Sequence, residues 1–396
     1  MAANTLSYNA IATVLNQIVQ EATGQAVITP TTGNDFVTVA QIGLNAGYDN
    51  LMGAISQVLS RTVISNRPYS RKFKGLEADS IRWGNHIRKI NYIDRAWDDG
   101  SRLPITNGVS VDDQAPVLDD VLQTNFYSQN DYEIQWTLFS NQLDVAFQGP
   151  DEFGAFISGK LQNISDMVEQ KHESLARMCL ANLIMGIYTA NYPNQVVHLV
   201  TEYNTYVGNS PAKTLTELRA SSEYPAFMKW VYGRIAQLSA MLTERSTIYH
   251  ANVTTPVDKT LARHTPYDKQ NVYLLSADKF YMESRVLADA YHDNYLKLAD
   301  VELLNFWQDI NTPDQLDIKA TYMNNDGSLV TMASATQLSN VFGVITDVEA
   351  CGYTVVNQRS TSAPYNGNGE YQNFWLKFTD RYWNDFTENA LVLIMD

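Results

Sequence analysis

Cysteine is nearly absent from this 396-residue sequence, with Cys179 and Cys351 the only two. One pair cannot build a disulfide framework. Both lie among apolar or mixed neighbours, so they read as small buried hydrophobes. Charged residues are only 18% of the chain. Positive charge is the scarcer kind, with 28 Lys and Arg against 43 Asp and Glu and a formal net charge of -15. That balance excludes a protein that holds nucleic acid over its whole surface, while leaving room for one basic patch. Long apolar runs are missing too. The most apolar long stretch, 175–190, is interrupted by Arg177 and Asn182 and is too short to span a bilayer. The N-terminus has neither a basic start nor a continuous apolar core. The chain is therefore expected to be soluble, made in the cytoplasm and not exported by the usual route.

Signatures of chemistry are equally scarce. There is no G-x-x-x-x-G-K-[ST] loop, G-x-G-x-x-G fingerprint, G-x-S-x-G elbow, C-x-x-C or H-E-x-x-H. No RNP pair, GXXG or zinc-finger spacing marks a nucleic-acid module. His172 lies beside Glu169 and Glu173, but no second His stands at a ligand spacing, so the trio reads as a solvated helix face. His250 and His264 flank a Thr-rich loop with nothing to orient a nucleophile toward either. The acidic stretch 309–317 lacks the glycine an EF-hand loop needs. No catalytic residue, metal ligand or cofactor can be nominated, and the protein is expected not to be an enzyme.

What is present is a 45% hydrophobic content, which excludes general disorder, and abundant aromatics: 23 Tyr, 14 Phe and 7 Trp. Tyr and Trp suit cores with wet edges and protein interfaces. Charge is split along the chain. Residues 1–60 contain no Lys or Arg, whereas 61–102 carry ten basic and five acidic residues, net +5, leaving -20 on the rest. Such a split fits a projecting piece that docks on an acidic partner, another copy of the chain included; a solvated charged face is the plainer alternative. Trp83, Tyr92 and Trp97 interleave with the basic residues, the only candidate grip for single-stranded nucleic acid.

Periodicity gives the elements. Leu6, Ala10, Ile11, Val14, Leu15, Ile18 and Val19 predict a helix over about 7–21, residues 24–35 read as an extended arm, and a second helical pattern runs from Val37 to Leu59. Alternation from Ile81 to Ile93, with turn signals at 98–101 and Asn107-Gly108, predicts a long β-hairpin or loop over about 70–115. Residues 117–146 read as extended, and Asp151 as the N-cap of the next helix. From Phe153 to Ile187 apolar residues step by three and four without a proline, which predicts one helix over 151–190, roughly 60 Å long. A kink near Gly159 or His172 would divide it. A helix from Pro225 to about Arg245, a core strand at 272–276 with a helix after it, strands at 342–345 and 353–356, a flexible loop at 360–371 and a strand-rich tail complete the reading.

Several stretches carry a resemblance: RWGNHIRKINYIDRAWDD (82–99), VLQTNFYSQNDYEIQWTLFSNQLDVAF (121–147), DEFGAFISGKLQNISDMVEQKHESLA (151–176), RHTPYDKQNVYLLSADKF (263–280) and NFWLKFTDRYWNDFTENALVLI (373–394). In texture and order the sequence resembles major capsid proteins of tailed bacteriophages with the HK97-like fold, most closely the shorter ones of small podovirus-like phages. The resemblance implies an α+β chain with an N-terminal arm (1–65), an extended E-loop hairpin (66–118), a peripheral domain (119–211) with a spine helix at 151–190, an axial domain (212–370) and a return to the peripheral domain (371–396).

It also implies a structural subunit that forms hexamers and pentamers of an icosahedral or prolate head around double-stranded DNA. Assembly would take place in the host bacterial cytoplasm, and the final location would be the virion. The implied partners are other copies of the chain, a separate scaffolding protein, a portal and head-decoration proteins. DNA would be packaged without sequence-specific binding, and no membrane or cofactor is involved. The candidate contacts between subunits are Arg71, Lys72, Lys74, Arg82, Arg88 and Lys89, facing acidic surfaces, with Trp83 and Trp97 among them. Some relatives lock the shell by a Lys–Asn bond, but nothing in the spacing around Lys72 and Lys74 supports one. A portal or tail component is the alternative reading; the chain's length and the lack of a longer helical stem argue against a portal.

Overall fold

The computed structural model describes residues 8–24, 33–45, 47, 50–51, 54, 71–78, 86–94, 120–192, 194–255, 258, 260–277, 280 and 301–396. The apolar stripe read near the N-terminus forms α1 (Tyr8–Thr23), and α2 (Gly33–Asn45) comes next, beginning inside the stretch read as extended. The rest of that arm and the end of the second helical pattern lie outside the described residues. Downstream, β1 (Ile87–Tyr92) pairs antiparallel with β2 (Val121–Phe126), in register from Ile87↔Phe126 to Tyr92↔Val121. This is the base of a hairpin; its expected turns at 98–101 and 107–108 lie outside the described residues.

β3 (Gln129–Phe139) continues the extended run, but the run stops earlier than expected. Ser140–Ala146 forms a short helix, α3, because Leu143 and Ala146, one turn apart, drop into the core, followed by Phe147. α4 (Pro150–Ala190) is then one unbroken helix of 41 residues. Its N-cap is the extended Gly149, not Asp151, and Pro150 occupies the first turn, where a missing N–H costs nothing. Asn191, at φ 50, closes it in the left-handed conformation.

The remaining elements are β4 (Val196–His198), α5 (Leu199–Val207), α6 (Leu215–Ala220), α7 (Tyr224–Thr243), β5 (Gln270–Leu275), β6 (Val301–Leu304), β7 (Leu316–Ile318), β8 (Thr321–Met323), β9 (Leu329–Thr331), β10 (Thr336–Leu338), β11 (Val341–Asp347), β12 (Cys351–Ser362), β13 (Tyr371–Asn384) and β14 (Ala390–Ile394). The helix expected after β5 lies mostly outside the described residues. β12, β13 and β3 make a three-stranded antiparallel sheet. The expected loop at 360–371 is shorter than read, since Ser360–Ser362 pair with Phe374–Leu376 and Ala363 N–H bonds Asn373 O. A five-stranded sheet has the order β4-β14-β11-β5-β6, parallel at both outer pairs and antiparallel within.

Three cores result. One gathers α1, α2, α3, β3, β13 and the N-terminal half of α4, through Leu15, Phe36, Leu143, Phe153, Ile164, Val168 and Phe374. A second packs the C-terminal half of α4, Leu175 to Ile187, on one face of the five-stranded sheet, at Tyr273, Leu275, Val344 and Val392. The third packs α5 and α7 on the opposite face, at Val272, Leu274, Leu391 and Leu393. Strand alternation sends successive residues of β5 and β14 to opposite cores. Among the described residues, no helix is long and apolar enough to cross a membrane.

At Gly343 the central strands approach so closely that an added Cβ would lie 2.8 Å from Tyr273 O and 2.4 Å from a Leu274 methyl. Gly343→Ala is expected to lower the unfolding free energy by about 1–3 kcal/mol, through overpacking against backbone that cannot yield. Urea denaturation measures it; an unchanged midpoint would show that the sheet accommodates the methyl.

Candidate functional site

Between its two apolar halves α4 turns polar at Glu169, His172 and Glu173, and there the basic segment crosses it. Glu169 and His172 are buried, which corrects the reading of a solvated face: apolar spacing cannot distinguish a wet face from a polar belt pressed under another segment. Arg71, 4% exposed, donates from Nη1 to Glu169 Oε1 at 2.8 Å and pairs with Glu77 through Nη2. Lys72 donates its backbone N–H to Glu173 Oε2 at 3.4 Å and its Nζ to Leu303 O at 3.3 Å. Phe73 sits at φ 64, donates to Glu302 Oε1 at 2.5 Å and packs its ring 5.4 Å from Tyr273. Ala78 N–H bonds Tyr353 O at 2.9 Å. Residues 71–78 are thus a strap fastened over α4 and β12.

Beneath the strap, Asp380 is fully buried, with its Oδ2 3.6 Å from His172 Nε2. The Tyr132 ring stacks on Phe378 at 5.0 Å, and His172 lies 5.6 Å from the Tyr353 ring. Burial pushes the Asp380 carboxyl up to about 6; the Tyr132 hydroxyl and the Lys171 and Arg71 charges hold it from going further. Burial raises the Tyr132 hydroxyl as well. Cys179 and Cys351 are free and buried as expected, and burial lifts the Cys351 thiol to about 12, which leaves it unreactive.

A second anchorage holds the hairpin. Lys89 Nζ lies 2.5 Å from Glu388, 2.9 Å from Glu349 and 3.1 Å from Asp385. Arg263 meets Glu388 from another side at 2.9 Å. Burial raises the Glu388 carboxyl to about 6 against the pull of both cations, while the surrounding carboxylates raise Lys89 despite its burial. On β1 the inward residues Ile87, Lys89 and Asn91 alternate with the outward Arg88, Ile90 and Tyr92. Ile90 is 45%, Tyr92 72% and the cross-strand Val121 49% exposed, an uncovered apolar patch with one cation on its edge.

Of the sequence-read contact residues, Arg71, Lys72 and Lys89 therefore bond within the chain, and Arg88 faces solvent. Lys74 lies in a 3-10 turn, Lys74–Leu76. Arg82, Trp83 and Trp97 lie outside the described residues, as does the Lys74 side chain. Sequence reasoning placed Glu169 on a solvated face and missed Asp380, Asp385 and Glu388, whose partners stand far away along the chain. Among the described residues no group of His, Cys, Asp and Glu could hold a metal ion.

The sequence model of the family described as Phi29-like phage major capsid protein matches residues 15–394. None of the curated proteins compared with the chain matches it. Among solved structures, one from the capsid of Staphylococcus phage Andhra is similar at 10% identity and TM-score 0.56, covering 84% of this chain and 86% of its own. A chain from a structure of the head fiber and inner core protein gp22 of bacteriophage P68 is similar at 11% identity and TM-score 0.52, covering 83% and 85%. At such identities the likeness is one of fold: these α+β folds are similar.

The two raised carboxyls set the sign of the pH response. An acid whose pKa is higher folded than unfolded binds more protons in the folded state. For Asp380 that stability is fully present below about pH 4 and is lost as pH rises through about 6. Asp380→Asn is expected to flatten this part of the stability–pH curve, gaining most relative to the parent above about pH 6. Thermal unfolding of both proteins across that range is the check. Parallel curves would show that Asp380 titrates normally.

Proposed function

We propose that this chain, which belongs to the Phi29-like phage major capsid protein family, is the structural subunit that self-assembles into hexamers and pentamers of the phage head. The head, icosahedral or prolate, encloses double-stranded DNA. In this reading residues 1–65 are the arm, 66–118 the E-loop, 119–211 the peripheral domain with α4 as its spine, 212–370 the axial domain and 371–396 the return to the peripheral domain. Assembly takes place in the host cytoplasm and the product resides in the virion. The subunit works with a separate scaffolding protein, a portal and head-decoration proteins, and does no catalysis.

The observation that carries the reading is the hairpin. It presents Ile90, Tyr92, Val121 and Arg88 outward, a patch that an isolated subunit leaves in water. Another copy of the chain, net acidic beyond the basic segment, is the surface that fits it. Each such contact is heterologous and repeats around local axes, which is how one chain closes a shell. Arg71 and Lys89 pair with carboxylates of their own chain, so among the described contact residues the intersubunit role falls chiefly to Arg88, with Tyr92 as its aromatic neighbour.

Negative-stain electron microscopy of the purified protein tests this. Closed shells or hexameric capsomers are expected, and a strictly monomeric or dimeric species, even with co-expressed partners, would overturn the reading. Arg88→Glu combined with Tyr92→Ala is expected to keep the far-UV spectrum of the parent while cutting assembled material about tenfold or more. Assembly at the parental yield would remove this face of the hairpin from the contact.

A further inference from the structure

We infer that Lys89 is a latch which fixes the hairpin to its own subunit, and that the hairpin can leave the body without opening any hydrophobic core. The observation that leads here is a mismatch. The chain on either side of the hairpin is built into the cores: Phe73 and Leu76 of the strap lie in the second core, and Ile134 and Leu138 of β3 lie in the first. No side chain of β1 or β2 belongs to any of the three. Phe126, at the end of β2, lines a cavity with Met178, Cys179 and Phe386, and the specific attachments that the described residues show for the rest of the hairpin are polar. They are Lys89 with Glu349, Asp385 and Glu388, and an exposed pair at 2.5 Å between Asp94 and Arg245.

The receiving side is rigid. Asp385 N–H bonds Ala350 O at 2.7 Å, and Asp385 Oδ1 accepts from both Thr387 N–H and its hydroxyl. Arg263 Nε bonds Thr387 O at 3.0 Å and a guanidinium nitrogen meets Glu388, so the 385–388 turn keeps its shape and one cation when Lys89 leaves. The Asp385 and Glu388 side chains are nearly enclosed, at 2% and 8% exposed, and Lys89 at 19% is the lid over them. Undocking exchanges charge-assisted hydrogen bonds for water and opens the Phe126 cavity, but removes no member of the three cores. A two-stranded hairpin alone is marginal in water, so once undocked its ladder amides become exposed to exchange.

Hydrogen–deuterium exchange of the full chain, read out by mass spectrometry, tests the latch. Lys89→Met is expected to speed exchange in 87–92 and 121–126 by roughly 10- to 100-fold, while β11 and β14 keep the parental protection. Lys377→Met, at an exposed cation on β13, is expected to leave the hairpin unchanged. In the parent protein, molar salt is expected to speed hairpin exchange selectively, which keeps the test open if Lys89→Met does not fold. Unchanged hairpin exchange in Lys89→Met would overturn the inference. So would an equal loss of protection in β11 and β14, which would make Lys89 a support of the whole body. No readout involves assembly, so this inference can fail while the capsid reading stands, and the reverse.

Discussion

One helix serving two cores is the constraint on which the rest of the molecule depends. α4 buries Phe153, Ile164 and Val168 in one core and Leu175 through Ile187 in another. A rod of 41 residues, roughly 60 Å long, transmits position from one end to the other with little loss. The three-stranded sheet and N-terminal helices are packed on its first half and the five-stranded sheet on its second. The placement of each sheet is set by the part of the rod it touches. Helix propensity alone would not hold a rod of this length straight in water; the two apolar faces do.

The interval between the cores explains the polar belt. Neither core closes over Glu169, His172 and Glu173, and a single passing strand could not cover them with apolar side chains alone. The strap covers them instead with Arg71, whose guanidinium reaches Glu169 and Glu77 together. A buried arrangement of this kind adds little stability over a packed apolar one, but it is unforgiving of misplacement, since either partner alone would be a buried charge. It therefore fixes where residues 71–78 cross the helix, and with that the point from which the hairpin departs.

Much of this is legible in the sequence, and the limits have physical causes. The long helix, α1 and the hairpin base declare themselves by local period, and the strands at 342–345 and 353–356 by short apolar runs, since β11 is buried on both faces. α3 reads as extended since seven residues hold too few turns for a period to register. Asp151 reads as a cap although the helix is capped two residues earlier, at the extended Gly149, with Pro150 in its first turn. The ion pairs are out of reach for a different reason. Arg71 meets Glu169 across 98 positions and Lys89 meets Glu388 across 299, and no local pattern encodes a partner at that distance.

The basic segment shows what this does to an argument from charge. Its net +5 beside a -20 remainder reads as attraction toward something acidic, and the acidic surface nearest to it is its own chain. Alternation along β1 then separates two uses of neighbouring cations. Lys89 points inward to three carboxylates, and Arg88, one residue away, points outward beside Ile90 and Tyr92. A slip of one residue in register would exchange them, burying the aromatic patch against Glu388 and turning Lys89 to solvent. The turn at 385–388 therefore selects the register of the hairpin as well as its position, because only one register gives the carboxylates a cation and leaves the apolar patch facing out.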